Sequence, residues 1–235
     1  MWAIWDEPFL QKKAKNVGKT QPFMSTVFTA SSHHPFKIPE KYKGKFKKGN
    51  VEMHEPMQYT DYAIKKSFEP AKNQPWFKNT IFVFTGDHSN QIYYSEYEKT
   101  MNRYAVPLLF YSPNPEYNLK GINNEFAQQI DIYPTLADLL GYNKNLRSWG
   151  KSLLSDKKYP SIIVNSDSIT ENFIIGNYIY RFNGKDIVGI FDRSDLNLDK
   201  NLLSTIKTPE TEKGKLLAKA WYQDYMNRIM NRKLY

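Results

Sequence analysis

The chain has 235 residues, of which 40% are hydrophobic and 15% aromatic, a composition that supports a packed core and excludes an intrinsically disordered protein. Its formal net charge of +9 permits contact with nucleic acid, anionic membrane surfaces or phosphorylated substrates. Disulfides and thiolate metal sites are excluded because there is no cysteine, and no apolar stretch approaches the ~18 residues that span a bilayer.

The first 85 residues predict alternating helices and strands. Residues 1–20 are expected to begin a short helix and continue as a polar link, and residues 22–29 are typical of a buried strand. Residues 37–55 are expected to be irregular, and residues 56–73 to form a helix with one broad apolar face. The continuous apolar run 80–85 predicts a strand buried on both faces of an α/β sheet.

The next segments continue this alternation. Residues 104–111 predict another buried strand, in which Pro107 indicates an edge or a bulge. Residues 125–140 predict a helix ended by Gly141, with inward-facing side chains that include Ile130 and Leu140.

The pattern changes after residue 150. Residues 162–164, 173–182 and 187–191 predict short strands, and Asn183-Gly184 predicts a hairpin between the last two. Residues 209–232 predict a terminal amphipathic helix whose apolar face includes Leu216. We therefore expect an α/β sheet in residues 1–150 and a small hairpin-and-helix extension, residues 151–235, packed on the same domain.

Asp87-His88 is the clearest candidate site, because it follows the strongest predicted strand directly. Ligands of α/β proteins bind beyond the carboxyl ends of the strands, and an Asp oxygen with a His nitrogen suits a divalent transition ion. Gly86 is expected to allow a sharp turn that brings both side chains together. The alternative is a turn in which Asp87 caps the backbone and His88 is merely exposed.

His33 follows a predicted strand as well, so it is expected at the same sheet edge if the two strands are neighbours. There it would hydrogen-bond a phosphoryl oxygen or bind metal, the alternative being an ordinary loop histidine. Ser31 and Ser32 raise a serine hydrolase as a further possibility, but the chain contains no Gly-x-Ser-x-Gly elbow. Asp131 is more simply explained by compensation of a helix dipole.

The one dense basic run is KYKGKFKK, residues 41–48. Two interpretations remain open: a solvated loop, or a patch that lies near anionic headgroups. No nucleic-acid-binding motif accompanies the run, so we expect no nucleic-acid partner.

Several segments, in order, resemble the lipoteichoic acid synthase-like branch of the sulfatase-fold enzymes in the alkaline phosphatase superfamily. They are WDEPF at residues 5–9, QPF at 21–23, TASSHHPF at 29–36, YTDYA at 59–63, NTIFVFTGDH at 79–88, VPLL at 106–109 and QIDIYPTL at 129–136. The weaker match FD…NL covers residues 191–202. The resemblance implies part of an alkaline phosphatase-type sheet flanked by helices, followed by the antiparallel extension and terminal helix.

The resemblance also implies roles for three residues. Asp87 and His88 would bind a divalent metal, and His33 would contact the phosphate or sulfate oxygens of the substrate. Within the family, His after this Asp accompanies manganese, zinc or magnesium, whereas sulfatases proper place Asn there and bind calcium. Imidazole is a poor calcium ligand, so we favour phosphoglycerol or phosphoethanolamine transfer over sulfate-ester hydrolysis.

One departure from the family pattern limits what these residues are expected to do alone. The family's nucleophile and second acidic ligand precede the Trp5 region, and nothing in this sequence matches them. We therefore expect the chain to begin midway through the catalytic domain, at a Met1 that is either internal or added. Its expected partner is the missing N-terminal half of that domain, and the chain alone is expected to be inactive. The whole protein is expected in the cytoplasmic membrane with an extracytoplasmic catalytic domain, and these 235 residues are expected to be soluble.

Three rival functions remain open. The first is hydrolysis of sulfate esters by the whole protein, and the second is a non-catalytic relative that serves as a binding or structural module. A basic domain that binds anions or nucleic acid would instead show salt-dependent binding that does not depend on Asp87 or His88.

Overall fold

The structure, a computed structural model, describes residues 3–155, 162–166 and 169–234. The chain divides into two compact units. The first comprises Met1–Phe84 and Leu109–Lys120, and the second comprises Thr85–Leu108 and Gly121–Tyr235. The domain boundary expected at residue 150 stays a prediction. None of the helices in the described ranges combines the length and apolar character that crossing a bilayer requires.

Two packed helices form most of the first unit. Helix α1 spans Asp6–Asn16 and helix α2 spans His54–Ala71, which confirms both predicted helices. A buried apolar cluster joins the ends of the two helices. It consists of Ala14 of α1, Ala71 of α2, and two aromatic residues that follow α2, Trp76 and Phe77. The pairing of α1 with α2 fixes the frame on which the loops of this unit are arranged.

Strands β1, Phe82–Thr85, and β2, Leu108–Tyr111, form a two-stranded sheet. Both strands were expected, but their expected burial on two faces is wrong. Phe82 packs on Phe68 with ring centroids 4.9 Å apart, whereas Leu109 remains 55% exposed. A continuous apolar run shows that a strand has a core-facing side, but it does not reveal whether a second layer covers the opposite face.

The strand predicted at residues 22–29 is also wrong. These residues are irregular, with no ladder partner among the residues that the structure describes. Phe23 packs edge-on against Trp76 at 5.7 Å, while Met24 and Phe28 are 88% and 69% exposed. β-Branched and aromatic side chains favour an extended backbone, but a strand also needs a neighbour for its hydrogen bonds, which the local pattern cannot supply.

The second unit contains a four-stranded antiparallel sheet. Its strands, in spatial order, are β3, Ile163–Ser166; β4, Glu171–Ile175; β5, Tyr178–Phe182; and β6, Ile187–Asp192. The hairpin predicted at Asn183-Gly184 is confirmed, with Gly184 at φ +88°. The single strand predicted over 173–182 is wrong, because Gly176 at φ +60° turns the chain and separates β4 from β5.

Helix α4, Pro209–Met230, covers one face of this sheet. Thr208 caps it by accepting a hydrogen bond from the Thr211 amide, and Pro209 begins the first turn. Ala218, which is fully buried, lies where the helix meets the sheet. Leu216 was expected on the apolar face but is 70% exposed, because the sheet meets a narrower stripe than the sequence pattern suggested.

The helix predicted at 125–140 begins later than expected. Gln128 and Asp131 form a reciprocal cap around a short 3₁₀ turn, Gln129–Asp131, and helix α3 spans only Ile132–Leu139. Gly141 follows at φ +72°, as expected for a helix end. Ile130 and Leu140, at 40% and 69% exposure, are not inward-facing, because both lie outside the α-helix.

Gly214 offers a test of the packing between α4 and the sheet. A β-carbon there would lie 2.1 Å from Cζ and Oη of Tyr180, whose ring is fully buried. Ala normally favours a helix over Gly by about 1 kcal/mol. Overpacking costs about 1–3 kcal/mol, and so severe an overlap belongs at the upper end of that range. We therefore expect Gly214→Ala to lower the free energy of unfolding by about 2 kcal/mol in urea titrations. The matched Lys213→Ala variant, on the exposed side of the same helix, should be neutral; equal stability of both variants would contradict the packing.

Candidate functional site

The Asp87-His88 pair lies in the second unit, at the point where β1 ends. Thr85 is the last residue of β1, and Gly86 follows it. Gly86 does not adopt a positive φ, so the expected sharp turn is not the reason for a glycine. A β-carbon at Gly86 would lie 3.2 Å from Cγ1 of Val106, and the glycine therefore permits close packing of two chain segments.

The hydrogen bonds of the pair orient both side chains. Asp87 Oδ1 accepts a hydrogen bond from the His88 amide at 2.9 Å. One of the two carboxylate oxygens therefore caps the backbone, as the alternative interpretation expected. His88 Nδ1 lies 2.8 Å from the carbonyl oxygen of Ser89. A carbonyl only accepts, so this contact places the hydrogen on Nδ1 and leaves the lone pair on Nε2 of the neutral ring.

The two remaining ligand atoms face each other. Asp87 Oδ2 and His88 Nε2 are 3.5 Å apart, and the side chains are 57% and 58% exposed. In the neutral tautomer both atoms are acceptors, so the arrangement suits a cation that contacts both of them. Ligand atoms about 2.0–2.2 Å from a tetrahedral ion are about 3.3–3.6 Å apart, which this spacing matches. The pair therefore fits two positions of a divalent metal site.

The pair does not form a complete site by itself. In the described ranges, no group of three or more His, Asp or Glu residues is arranged to hold a metal ion. A protein metal site normally needs at least three ligands. The residues present thus fit the metal as a partial ligand set.

Gln129 holds the main chain of this loop and was not singled out in the sequence. Its Nε2 donates to the carbonyl oxygens of Gly86 and Asp87, at 3.4 and 3.2 Å. Its own position depends on Asp131, whose buried carboxylate accepts from the amides of Gln128 at 2.9 Å and Lys151 at 2.8 Å. Asp131 is therefore a structural cap that supports the loop.

His33 lies in the first unit, in a loop held by the buried carboxylate of Asp6. Asp6 Oδ1 accepts from the amides of Ala30 and Ser31, each at 3.2 Å, and Oδ2 accepts from Thr60 Oγ1 at 3.0 Å. The Asp6 amide in turn donates to Ser31 Oγ at 3.0 Å. One side chain thus ties α1, α2 and the His33 loop together. The sequence resemblance included Asp6 but gave it no role.

The same contacts bear on the serine-hydrolase alternative. Ser31 is 4% exposed, and its hydroxyl oxygen is engaged by the Asp6 amide. His33 is exposed, and its Nδ1 lies 2.9 Å from the carbonyl oxygen of His34. Ser31 is therefore part of the loop anchor, and an attacking hydroxyl would have to leave that anchor.

Glu7 continues the anchor beside Asp6. Its amide donates to the hydroxyl oxygen of buried Tyr59 at 3.2 Å, and its carboxylate pairs with Lys41 at 2.9 Å. Burial raises the pKa of Glu7, but hydrogen bonds from Lys41, Tyr42 and Gln11 together outweigh burial, and the net pKa is lowered. Glu7 therefore stays ionised and holds Lys41 against α1.

A cavity of about 420 Å³ adjoins the His33 loop. Its wall includes Trp5, His33, His34, Lys37 and Lys41. An aromatic ring beside ammonium and imidazole groups suits a ligand that carries an anionic group. The cavity lies within the first unit, and the expected proximity of His33 to Asp87-His88 stays a prediction.

The fold has a counterpart among solved structures. A protein of the alkaline phosphatase superfamily from Vibrio parahaemolyticus superposes with a TM-score of 0.66 at 19% identity, over 95% of this chain and 56% of that one. The expected fold class, α/β of the alkaline phosphatase and sulfatase type, is therefore confirmed.

The family follows from the sequence comparisons. The family model described as Sulfatase matches residues 2–142, and the chain belongs to the sulfatase family. It is 27% identical to the lipoteichoic acid synthase-like protein YvgJ of Bacillus subtilis, over 77% of this chain and 32% of that protein. It is 26% identical to the lipoteichoic acid synthase of Staphylococcus aureus, over 84% of this chain and 34% of that protein. The expected resemblance is confirmed, and the chain spans about a third of the length of these curated relatives.

Asp6 is expected to determine the stability of the first unit. Asp6→Ala leaves two amides and the Thr60 hydroxyl without their acceptor, and an unpaired buried donor costs about 1–3 kcal/mol. We expect the free energy of unfolding to fall by about 3–5 kcal/mol in urea titrations.

Two controls separate this carboxylate from general effects. Asp6→Asn keeps one acceptor oxygen and should lose less stability than Asp6→Ala. Asp61→Ala removes an exposed carboxylate next to Thr60 and should change stability by no more than about 0.5 kcal/mol. An Asp6→Ala variant as stable as Asp61→Ala would show that the anchor is not needed.

Proposed function

We propose that this chain supplies part of the active site of an extracytoplasmic, metal-dependent enzyme that transfers or hydrolyses a phosphoester, most closely a phosphoglycerol or phosphoethanolamine transferase. The observation that carries the proposal is the pair of acceptor atoms, Asp87 Oδ2 and His88 Nε2, 3.5 Å apart at the end of β1. Membership of the sulfatase family and similarity to lipoteichoic acid synthases support the ester class.

In this proposal each residue has a distinct task. A divalent ion, when bound, would supply Lewis-acid activation of the nucleophile and neutralise charge on the transferred group. Asp87 and His88 contribute two of its ligands, and Gln129 fixes the backbone that carries them. His33 already holds the His34 carbonyl oxygen through Nδ1, so it would donate from Nε2 to a phosphoryl oxygen of the substrate when its ring is protonated.

The nucleophile that forms the covalent intermediate, and the remaining ligands, are proposed to come from residues outside this chain, in the N-terminal half of the catalytic domain. The whole protein is proposed to be anchored in the cytoplasmic membrane. Imidazole ligation favours manganese, zinc or magnesium over calcium, and this preference favours phosphoesters over the alternative, sulfate esters. No nucleic-acid partner is proposed.

The ligand assignment can be tested in the chain itself. The chain has only four histidines, so their imidazole NMR resonances can be assigned with single variants. We expect Mn²⁺ to broaden the His88 resonance selectively, because a paramagnetic ion held by Nε2 lies next to the ring. Asp87→Asn should weaken this binding at least about tenfold, since even outer-shell changes cost about that much.

His54 provides the internal control. Its Nδ1 accepts from the Asn50 amide at 3.0 Å at the start of α2, so its resonance should not respond at the same Mn²⁺ concentration. Equal broadening of His54 and His88, or an unchanged titration in Asp87→Asn, would overturn the assignment.

A second prediction concerns activity. With two ligands and no nucleophile of its own, the 235-residue chain should not accelerate hydrolysis of a chromogenic phosphodiester above the rate of Mn²⁺ in buffer. The measurement compares wild type with His88→Ala over a range of Mn²⁺ concentrations. Turnover by wild type that His88→Ala abolishes would show that this chain holds a complete site, and would contradict the proposed sharing of the site.

A further inference from the structure

The basic run at residues 41–48, here called the lysine arch, is an ordered element. Tyr42 and Phe46 turn toward α2, where they join Tyr59 and Tyr62 in an aromatic cluster with ring centroids 5.4–6.1 Å apart. The spacing of four residues between Tyr42 and Phe46 places both rings on the inner side of the arch. The solvated-loop interpretation therefore describes only its outer side.

Polar contacts fasten both ends of the arch. Lys41 pairs with Glu7 at 2.9 Å at the first end. At the other end, the Lys47 amide donates to Gln58 Oε1 at 3.3 Å, and Gln58 Nε2 donates back to the Lys47 carbonyl at 2.7 Å. Lys45 lies over the Tyr62 ring, with Nζ 3.7 Å from the centroid. The backbone is thus fixed before any partner binds.

The outer side presents positive charge to the solvent. Lys43, Lys45, Lys47 and Lys48 are all exposed, and no acidic residue interrupts the run. The acidic neighbour nearest in sequence, Glu40, reaches Lys43 only at 3.9 Å, with both side chains more than 80% exposed, so this pair neutralises little. At Gly44, φ +78°, nothing lies within 4 Å of where a β-carbon would stand, and the tip is open.

We propose that the lysine arch is a contact site for a bilayer surface rich in anionic phospholipid headgroups. Each lysine near such a surface gains about 1 kcal/mol, and the pre-ordered backbone loses little further entropy on contact. The outer edge of the arch is open and charged, which suits a plane of phosphate groups. A single bound anion would instead require a pocket in which several donors converge. The proposal is independent of metal binding at Asp87 and His88.

The test is co-sedimentation of the 235-residue chain with vesicles. We expect binding to equimolar phosphatidylglycerol–phosphatidylcholine vesicles at low ionic strength, and no binding to pure phosphatidylcholine. About 0.5 M salt should abolish the binding, because the Debye length is then only a few ångströms. Replacing Lys43, Lys47 and Lys48 together by Gln should lower the partition coefficient about a hundredfold, the product of about fivefold for each lysine.

A matched variant separates the arch from overall charge. Lys120, Lys144 and Lys213 are exposed elsewhere, and their joint replacement by Gln removes the same formal charge. This variant should bind within about threefold of wild type, and His88→Ala should bind as wild type does. Three outcomes would each overturn the proposal. They are equal losses of vesicle binding in the two triple variants, equal binding to neutral and anionic vesicles, and binding to soluble linear polyphosphate without binding to the anionic vesicles.

Discussion

The buried carboxylate of Asp6 is the interaction on which the arrangement of the first unit depends. Both of its oxygens are used, by two amides of the His33 loop and by the Thr60 hydroxyl of α2. An ionised group at 1% exposure would be costly without such partners. Because these donors come from distant parts of the chain, the carboxylate is satisfied only when α1, α2 and the loop are assembled together. The same contact therefore makes folding of this unit cooperative and fixes the loop backbone.

The sequence predicted the elements that depend on local chemistry. The helix end at Gly141 and the hairpin at Gly184 each rest on residues a few positions apart, and both are present. The predictions that failed depended on distant neighbours. Residues 22–29 have strand-forming side chains without a ladder partner in the described ranges, and Leu216 has the right helical spacing but meets no sheet. The spacing of apolar residues and their helix or strand propensity indicate which element a segment is able to form. The burial of that element depends on what packs against it.

The residues of the candidate site also fall into those that a local pattern predicted and those that depend on distant contacts. Asp87 and His88 were identified because they are adjacent and follow a strong apolar run, which is a local signal. Gln129 was missed because its role is to donate to main-chain oxygens more than 40 positions earlier, and no feature of its own segment reveals such a contact. Asp6 was missed for the same reason, since its partners are at least 24 positions away. Residues that position a site are harder to read from sequence than residues that carry its chemistry.

The two loops share one physical design. In each, one polar side chain holds the main chain, the buried Asp6 for the His33 loop and the exposed Gln129 for the Asp87 loop, while the imidazoles remain exposed. Fixing the backbone lowers the entropy that a side chain must lose when it meets a ligand, and exposure keeps the side chain available. The lysine arch is similar, because its two aromatic residues, Tyr42 and Phe46, are half-buried against α2 whereas its lysines are exposed. In all three segments, contacts to the main chain or to neighbouring rings fix the backbone while the histidine or lysine side chains remain exposed. These side chains are therefore pre-positioned groups on a fixed backbone.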